Sequence, residues 1–307
     1  AAAAGSDTAV CLGGTHATVY TATAVQPPAE ARAASPDGTA SASAAKQVEE
    51  ACWGRVAAAA KQGWEKFIKM HVAEFSSGMS RTALRLQSRQ GHGKPSPAEE
   101  AAAAAADQTS QLFDFNKYLL LSAGTGSVLN LQGVWADGRH AAWSGDYHLN
   151  INLQMSYWAA DGAGLGPLVL PELTKWLSSL RDKGAAAAQR LYQCPGWVAH
   201  GYVDGYLDTG IMGDALWNLC PTCGAWAALA LWDHVSHQPA SSPSAQAALA
   251  ELLESFRGLT EFFSCYLVEK RGFLHSGPST SPENSYVVVP PQTHRAGSIV
   301  GEQPDPL

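Results

Sequence analysis

Long apolar runs are missing from this sequence of 307 residues. The longest wholly apolar stretch, AWAALALW at 225–232, is far shorter than the roughly 20 residues that a helix needs to span a bilayer. An excess of positive charge is missing as well, because 27 acidic residues outnumber 20 basic ones and the formal net charge is −7. We therefore predict neither a membrane nor a nucleic acid as partner, which leaves small neutral ligands open.

Cysteine is scarce, with six residues in the whole chain. This number is too small for a fold built mainly on disulfides, and only Cys220 and Cys223 form a C-x-x-C pair. A zinc site would need a second pair, so the sequence predicts no metal site, and no cofactor is expected. The two cysteines are expected to be buried thiols or to form disulfides with other cysteines.

The pattern of residues divides the chain into three parts. Residues 1–26 contain one strand-like alternation and are interpreted as the remnant of an N-terminal β domain. Residues 27–109 are interpreted as a linker with a helix at 46–76 and low-complexity inserts rich in Ala, Ser, Pro and Gly. In residues 110–307 apolar side chains recur with helical spacing, so the predicted fold class is mainly α.

The apolar repeats in this third part predict helices with one buried face each. The repeats are Leu112, Phe115 and Leu119; Leu173, Trp176, Leu177 and Leu180; and Leu249, Leu252, Leu253, Phe256, Leu259 and Phe263. The loops between them hold many Trp, Tyr, His, Asn and Asp residues, and loops are where a helical scaffold carries a site.

The segment YHLNINLQMSYW at 147–158 places polar residues at alternate positions. An extended backbone would put all of them on one face, whereas a helix would turn Asn150 and Asn152 apart by about 200°. The polar set is His148, Asn150, Asn152 and Gln154, and the apolar set is Leu149, Ile151, Leu153 and Met155. A strand with solvated polar residues is the simpler interpretation, but asparagine is a poor β former. Amides that face a cavity can orient a water or a hydroxyl, so we expect an extended or irregular backbone at 148–152 and a helix from about Gln154.

Glu283 lies in the segment SPENSYVVVPP at 281–291. Ser281 and Pro282 could begin a helix there, with Glu283 in its first turn. The β-branched residues and prolines that follow favour a rigid loop instead. A carboxyl group fixed on such a loop could act as a general acid.

Other candidate residues lie in the intervening loops. Trp135 and Trp217, like Trp143 and Trp197, suit stacking on sugar faces, although a single tryptophan is more often part of a core. His200 and Asp204 are four residues apart, so they could form an ion pair on a helix or hold sugar hydroxyls from a glycine-rich loop.

Five motifs, in this order, resemble glycoside hydrolase family 95, the inverting α-L-fucosidases with α-L-galactosidase relatives. The motifs are NLQGVW at 130–135, NINLQMSYW at 150–158, GWVAH at 196–200, GAW at 224–226 and SPEN at 281–284. The resemblance implies an (α/α)6 barrel preceded by a helical linker and a β-sandwich domain. This chain would then hold the last strand of the sandwich, the linker and the first half of the barrel.

The resemblance also implies roles for individual residues. Glu283 corresponds to the general acid of the family, and Asn150 and Asn152 correspond to the asparagines that orient the base and its water. His148 corresponds to a sugar-contacting histidine, and Trp135, His200, Asp204 and Trp217 are the further candidate substrate contacts. The family's catalytic base is an Asp far C-terminal to the acid, and we expect it beyond residue 307.

The predicted activity is therefore cleavage of terminal α-L-fucosyl or α-L-galactosyl residues from an oligosaccharide or cell-wall glycan. The chain alone is expected to be inactive because it lacks the base. The alternative is a non-catalytic carbohydrate-binding or degenerate family member. Secretion, or a vacuolar or cell-wall location, is inferred from the class of substrate.

Overall fold

The computed structural model describes residues 8–13, 16–21, 39–87, 94–135 and 140–280. The described part of the chain is mainly helical, as the sequence predicts. It divides into two units, residues 1–77 and 78–307. None of the described helices has the length and hydropathy of a membrane span.

The first unit begins with two antiparallel strands, β1 (Thr8–Gly13) and β2 (His16–Thr21). The single-strand prediction is therefore wrong for this region, because Thr8–Gly13 supplies a partner for the expected strand. The predicted helix at 46–76 is present but divided into α1 (Thr39–Gln62) and α2 (Trp64–Met79). Gly63, with a φ of 75°, separates the two helices because glycine adopts this left-handed conformation easily.

Helix α3 (Pro97–Gly124) includes residues that the sequence predicts to be part of a low-complexity insert. Its alanines favour the helix because alanine has the highest helix propensity of all residues. Ser96 and Glu99 form a capping box at the start of the helix, with Pro97 in the first turn.

The second unit continues with short elements that alternate with long helices. They are a 3-10 helix (Ala142–Gly145), β3 (Tyr147–His148), α4 (Asn152–Trp158), α5 (Gly166–Ala187), a π-helical turn (Ala188–Tyr192), β4 (Tyr202–Val203), α6 (Ala215–Asn218), α7 (Cys223–His237), α8 (Pro243–Tyr266), β5 (Val268–Lys270) and β6 (Phe273–His275). Strands β3 and β4 pair antiparallel, and so do β5 and β6.

Helices α5, α7 and α8 pack against one another and form the main core. The repeat on α5 is buried as predicted, with Leu173, Leu177 and Leu180 fully enclosed. The repeat on α3 is predicted wrongly, because Leu112 and Phe115 are exposed in the described structure. The repeat on α8 is divided: its inner residues are Leu252 and Leu259, and its exposed residues are Leu249 and Leu253.

A polar network connects the loop before α5 with the hairpin of α7 and α8. Nδ1 of the fully buried His234 lies 2.9 Å from the Asp161 carboxylate, and Nε2 lies 3.1 Å from the Ser244 hydroxyl. A Cβ on Gly166 would lie 1.8 Å from an oxygen of Asp161, so only glycine fits there without rearrangement. The network joins three elements at one end of the helical core.

Two disulfides lie in this unit, Cys194–Cys265 and Cys220–Cys223. The expectation for the C-x-x-C pair is therefore wrong, because Cys220 and Cys223 bond to each other. Their Cα atoms are 5.5 Å apart at the start of α7, within the usual range for a disulfide.

Candidate functional site

The segment with the two asparagines is irregular where the sequence predicts it to be. His148 ends strand β3, residues 149–151 form a turn, and Ile151 has φ −174° and ψ −33°, outside the helical region. The prediction is confirmed for residues 148–151. Helix α4 begins at Asn152, two residues before the predicted start at Gln154.

The predicted alternation of faces is only partly correct. Leu149 and Leu153 are buried as expected, but Ile151 and Met155 are exposed. Gln154 is buried, and its Nε2 donates a hydrogen bond of 2.6 Å to the Leu149 carbonyl. The early helix start explains the exposure of Met155 and the burial of Gln154, because a period of 3.6 replaces a period of two from residue 152 onward.

His148 and Asn152 line the same cavity, which has a volume of about 240 Å³. The remaining lining residues are Leu129, Asn130, Leu131, Leu153, Met155 and Ser156. An amide and an imidazole on one small cavity can exchange hydrogen bonds with the hydroxyls of a ligand. The structure thus brings together two of the predicted site residues.

Asn150 is next to this cavity in sequence but is not among the residues that line it. Its side-chain Oδ1 is buried and has no hydrogen-bond partner. A buried acceptor without a partner destabilises a fold by about 1–3 kcal/mol. Such an atom needs an explanation, and a ligand or an ordered water is one.

A strained turn leads into the segment. Trp143, Ser144 and Gly145 have φ values of 48°, 60° and 61°, so three consecutive residues are left-handed. Asn130 holds the turn by donating a 2.7 Å hydrogen bond from Nδ2 to the Gly145 carbonyl. Strained backbone of this kind is concentrated at functional sites.

Strand β4 supports His148 from the other side and is itself held by Asn218. His148 pairs with Tyr202, whose ring centroid lies 4.2 Å from the imidazole centroid. The fully buried Asn218 accepts a 2.7 Å hydrogen bond from the Tyr202 N–H and donates one of 3.0 Å to the Met212 carbonyl. No sequence pattern points to Asn218, although its neighbour Trp217 is a candidate sugar contact.

The catalytic-domain model of glycosyl hydrolase family 95 matches residues 63–303 of the chain. This match covers the cavity, the strained turn and all three long core helices. The chain belongs to glycosyl hydrolase family 95. The resemblance that the five motifs indicate is therefore confirmed.

Curated relatives from fungi and a plant are consistent with membership of family 95. The chain is 36% identical to "Probable alpha-fucosidase A" of Aspergillus niger over 186 residues, which are 58% of the chain and 23% of the relative. It is 32% identical to "Alpha-L-fucosidase 2" of Arabidopsis thaliana over 248 residues, 76% of the chain and 29% of the relative. The chain thus spans less than a third of the length of these relatives.

Three of the four tryptophans that suit stacking on sugars, Trp135, Trp143 and Trp217, are accessible in this family 95 chain. Trp135 is 49% exposed and Trp217 is 42% exposed, so each offers part of its ring to a ligand. Trp197 is instead part of the core, where its Nε1 donates a 2.9 Å hydrogen bond to the Ser255 carbonyl.

His200 and Asp204 have separate environments. His200 is fully buried, its Nε2 lies 3.1 Å from the Tyr192 hydroxyl, and burial lowers its pKa to about 4. Asp204 shapes the loop after β4, because its Oδ1 accepts the N–H groups of Tyr206 and Asp208, both at 2.9 Å. Their predicted contacts with a sugar remain predictions.

Glu283, the predicted general acid of this family 95 chain, lies outside the described residues. The described chain closest to it is anchored at Thr280, whose N–H and hydroxyl both donate to the Leu219 carbonyl, at 2.8 Å and 2.9 Å. The expected proximity of Glu283 to His148 and the asparagines remains a prediction.

Proposed function

We propose that this chain is part of a glycoside hydrolase that removes terminal α-L-fucosyl, or α-L-galactosyl, residues from glycans with inversion. The observation that carries the proposal is the cavity shared by His148 and Asn152 in a family 95 catalytic domain. The names of the relatives support the choice of sugar, since they are alpha-fucosidases. The helices of residues 110–307 would form the first half of an (α/α)6 barrel.

The proposed mechanism needs two carboxyl groups on opposite sides of the scissile bond. Glu283 would donate its proton to the glycosidic oxygen as the bond to the anomeric carbon breaks. A second carboxylate would take a proton from the water that attacks this carbon from the other face. Inverting enzymes hold the two groups about 6.5–9.5 Å apart, which leaves room for the water.

The asparagines would position this water and the catalytic base. Asn152 can reach a ligand because it lines the cavity, and the Asn150 Oδ1 is a buried acceptor with no hydrogen bond to give up. Preorganised polar groups of this kind can each contribute a few kcal/mol to catalysis. Their amides would accept hydrogen bonds from the water and donate to the carboxylate.

The substrate would be a fucosylated or galactosylated oligosaccharide, such as a cell-wall glycan. Trp135 and Trp217 would stack on its sugar rings. A secreted, vacuolar or cell-wall location fits the disulfides Cys194–Cys265 and Cys220–Cys223, because disulfides persist in oxidising compartments.

A carbohydrate-binding role without catalysis is the second candidate, and one observation favours it. Among the described residues that line the cavity, the polar side chains are an imidazole, two amides and a hydroxyl, without a carboxylate. Such a set can bind a sugar but cannot supply acid and base.

A hydrolysis assay distinguishes a glycoside hydrolase from a carbohydrate-binding protein. The substrate is an α-L-fucoside, and the sample is the longest form of the protein that its transcript encodes. We expect turnover that releases the β-anomer first, observed by NMR, and a loss of about 10² to 10⁴ in rate for Glu283→Gln. A substrate with an activated leaving group should lose less. Glu269→Gln, on the exposed strand β5, is the matched control and should keep full activity.

The 307-residue chain by itself should show no measurable turnover. Absence of turnover together with sugar binding in the longest form would favour the carbohydrate-binding role. If the 307-residue chain hydrolyses the fucoside and Glu283→Gln abolishes this activity, the catalytic base must lie within these residues. Asp204 would then be the first candidate for the base.

A further inference from the structure

We propose that Asp146 is a positioning residue that sets the tautomer of His148, so that the imidazole offers an unprotonated Nε2 to a sugar hydroxyl. The identity of this ligand rests on the proposed function. Asp146 was not singled out in the sequence, because it is two residues before the polar alternation. Its contact with His148 is visible only in the folded chain.

The Asp146 carboxylate lies directly against the imidazole. Its Oδ1 is hydrogen-bonded to Nδ1 of His148. The two side chains are only 15% and 11% exposed, so little water competes for this contact. A carboxylate can only accept, so Nδ1 carries the proton and Nε2 of a neutral ring is left with its lone pair.

The backbone fixes both partners of the pair. Asp146 follows the left-handed turn at Trp143–Gly145, and its carbonyl accepts a 3.1 Å hydrogen bond from the Leu131 N–H. Leu131 lines the same cavity as His148, so the backbone of Asp146 is tied to the cavity wall. A hydrogen bond of 2.7 Å from the Leu149 N–H to the Gly201 carbonyl secures the residue after the histidine.

The Tyr202 ring restricts the orientation of the imidazole. The two rings lie 4.2 Å apart at an interplanar angle of 30°, and their backbones pair across β3 and β4. A 180° rotation of the ring would replace Nδ1 by Cδ2 and break the hydrogen bond to Asp146, so this contact fixes which way the imidazole faces. The imidazole would therefore accept a hydrogen bond from the ligand, which selects a sugar with a hydroxyl at that position.

The tautomer can be measured in the 307-residue chain without a sugar and without activity. Selective ¹⁵N labelling of histidine separates protonated from unprotonated ring nitrogens, and the His148 signals are identified by their loss in His148→Gln. In the neutral ring the proton should lie on Nδ1. A proton on Nε2 in the wild-type chain would overturn the proposal.

Asp146→Ala tests the positioning role itself. We expect the proton of His148 to redistribute toward Nε2, and affinity for L-fucose in the longest form of the protein to fall about 10-fold. Asp182→Ala removes an exposed carboxylate on α5 and should change neither property. A folded Asp146→Ala variant that keeps both the tautomer and the affinity would contradict the proposal.

The tautomer of His148 and the affinity for L-fucose can each contradict a different proposal. If His148 has the Nδ1–H tautomer and Asp146→Ala alters it, but no sugar binds, the positioning role stands and the proposed function is wrong. If Asp146→Ala does not fold, the tautomer of the wild-type chain still decides the proposal.

Discussion

The core of α5, α7 and α8 is mainly apolar, with Trp176 Nε1 as a buried polar atom without a partner, whereas the segment from Asp146 to Gln154 is mainly polar. The core encloses leucines, alanines and the indole of Trp197, and its glycines let backbones approach closely. The segment encloses an imidazole, a carboxylate and two amides, and the Oδ1 of Asn150 and the Oε1 of Gln154 have no hydrogen-bond partner.

This difference indicates which part of the molecule carries stability and which carries binding. Close apolar packing makes a favourable contribution wherever it occurs. Buried polar atoms without partners make an unfavourable one, and they persist where a ligand can use them. Substitutions in the core should therefore lower the free energy of unfolding more than they weaken sugar binding. Substitutions in the segment should weaken sugar binding more than they lower the free energy of unfolding.

The largest expected effect is that of Gly196→Ala in the core. Gly196 has a φ of 76°, and a Cβ there would lie 1.9 Å from the Gly258 carbonyl oxygen and 2.7 Å from the Phe262 nitrogen. Because backbone atoms must move, we expect the free energy of unfolding to fall by about 4 kcal/mol or more, measured by urea denaturation.

Gly213→Ala is the matched control for this substitution. Gly213 also has a positive φ, 67°, but a Cβ would meet nothing within 4 Å. Only the conformational penalty of about 1–2 kcal/mol should remain. Equal losses for the two variants would show that close packing at Gly196 is unimportant.

The next largest effect is expected for the disulfide Cys194–Cys265, which closes a long loop between the π-helical turn and the end of α8. With a sequence separation of 71, removal by the double substitution to alanine should lower the free energy of unfolding by about 2–4 kcal/mol. Removal of Cys220–Cys223, with a separation of 3, should have a smaller effect. A larger loss from the short loop would contradict this account.

The pH dependence of stability shows whether His200, which has a predicted role in sugar binding, is a buried residue of the core. Burial lowers its pKa to about 4, against about 6.5 in an unfolded chain, so the unfolded state binds more protons between these values. The free energy of unfolding should therefore fall as pH decreases from about 6.5 to about 4, by up to about 3 kcal/mol, and be unaffected by this group above 6.5.

His200→Gln should remove this part of the pH dependence. His237→Gln, at an exposed histidine at the end of α7, should leave it in place. Denaturation curves at several pH values give the comparison. An unchanged slope in His200→Gln would mean that His200 is not a buried neutral histidine.

The smallest effect on stability is expected for Asn150→Ala in the segment. The substitution removes a buried oxygen that has no partner, so the free energy of unfolding should change by less than about 1 kcal/mol. Binding of L-fucose by the longest form of the protein should weaken, as calorimetric titration can show. A large loss of stability with unchanged binding would reverse the comparison between the two regions.

The sequence predicted the fold class and the conformation of residues 148–151, because helical repeats and alternation are local signals. It did not predict which apolar stripes are covered: Leu173 and Phe115 belong to similar repeats, yet the first is buried and the second exposed. Burial depends on which helices pack together, and this is a tertiary property. Asn218 is not predicted for the same reason, since its partner is the Tyr202 N–H, 16 residues away. Asp146 is not predicted because its contact with the His148 ring depends on how the folded backbone orients both side chains.

The central claim is that the polar segment binds the sugar, and NMR of the Asn152 side-chain amide tests it most directly. The longest form of the protein is labelled with ¹⁵N, and the Asn152 signal is identified by its loss in Asn152→Ala. L-fucose should shift this signal in a saturable way, while D-fucose, its mirror image, should leave it unchanged. No shift with L-fucose, or the same shift with both sugars, would contradict the claim.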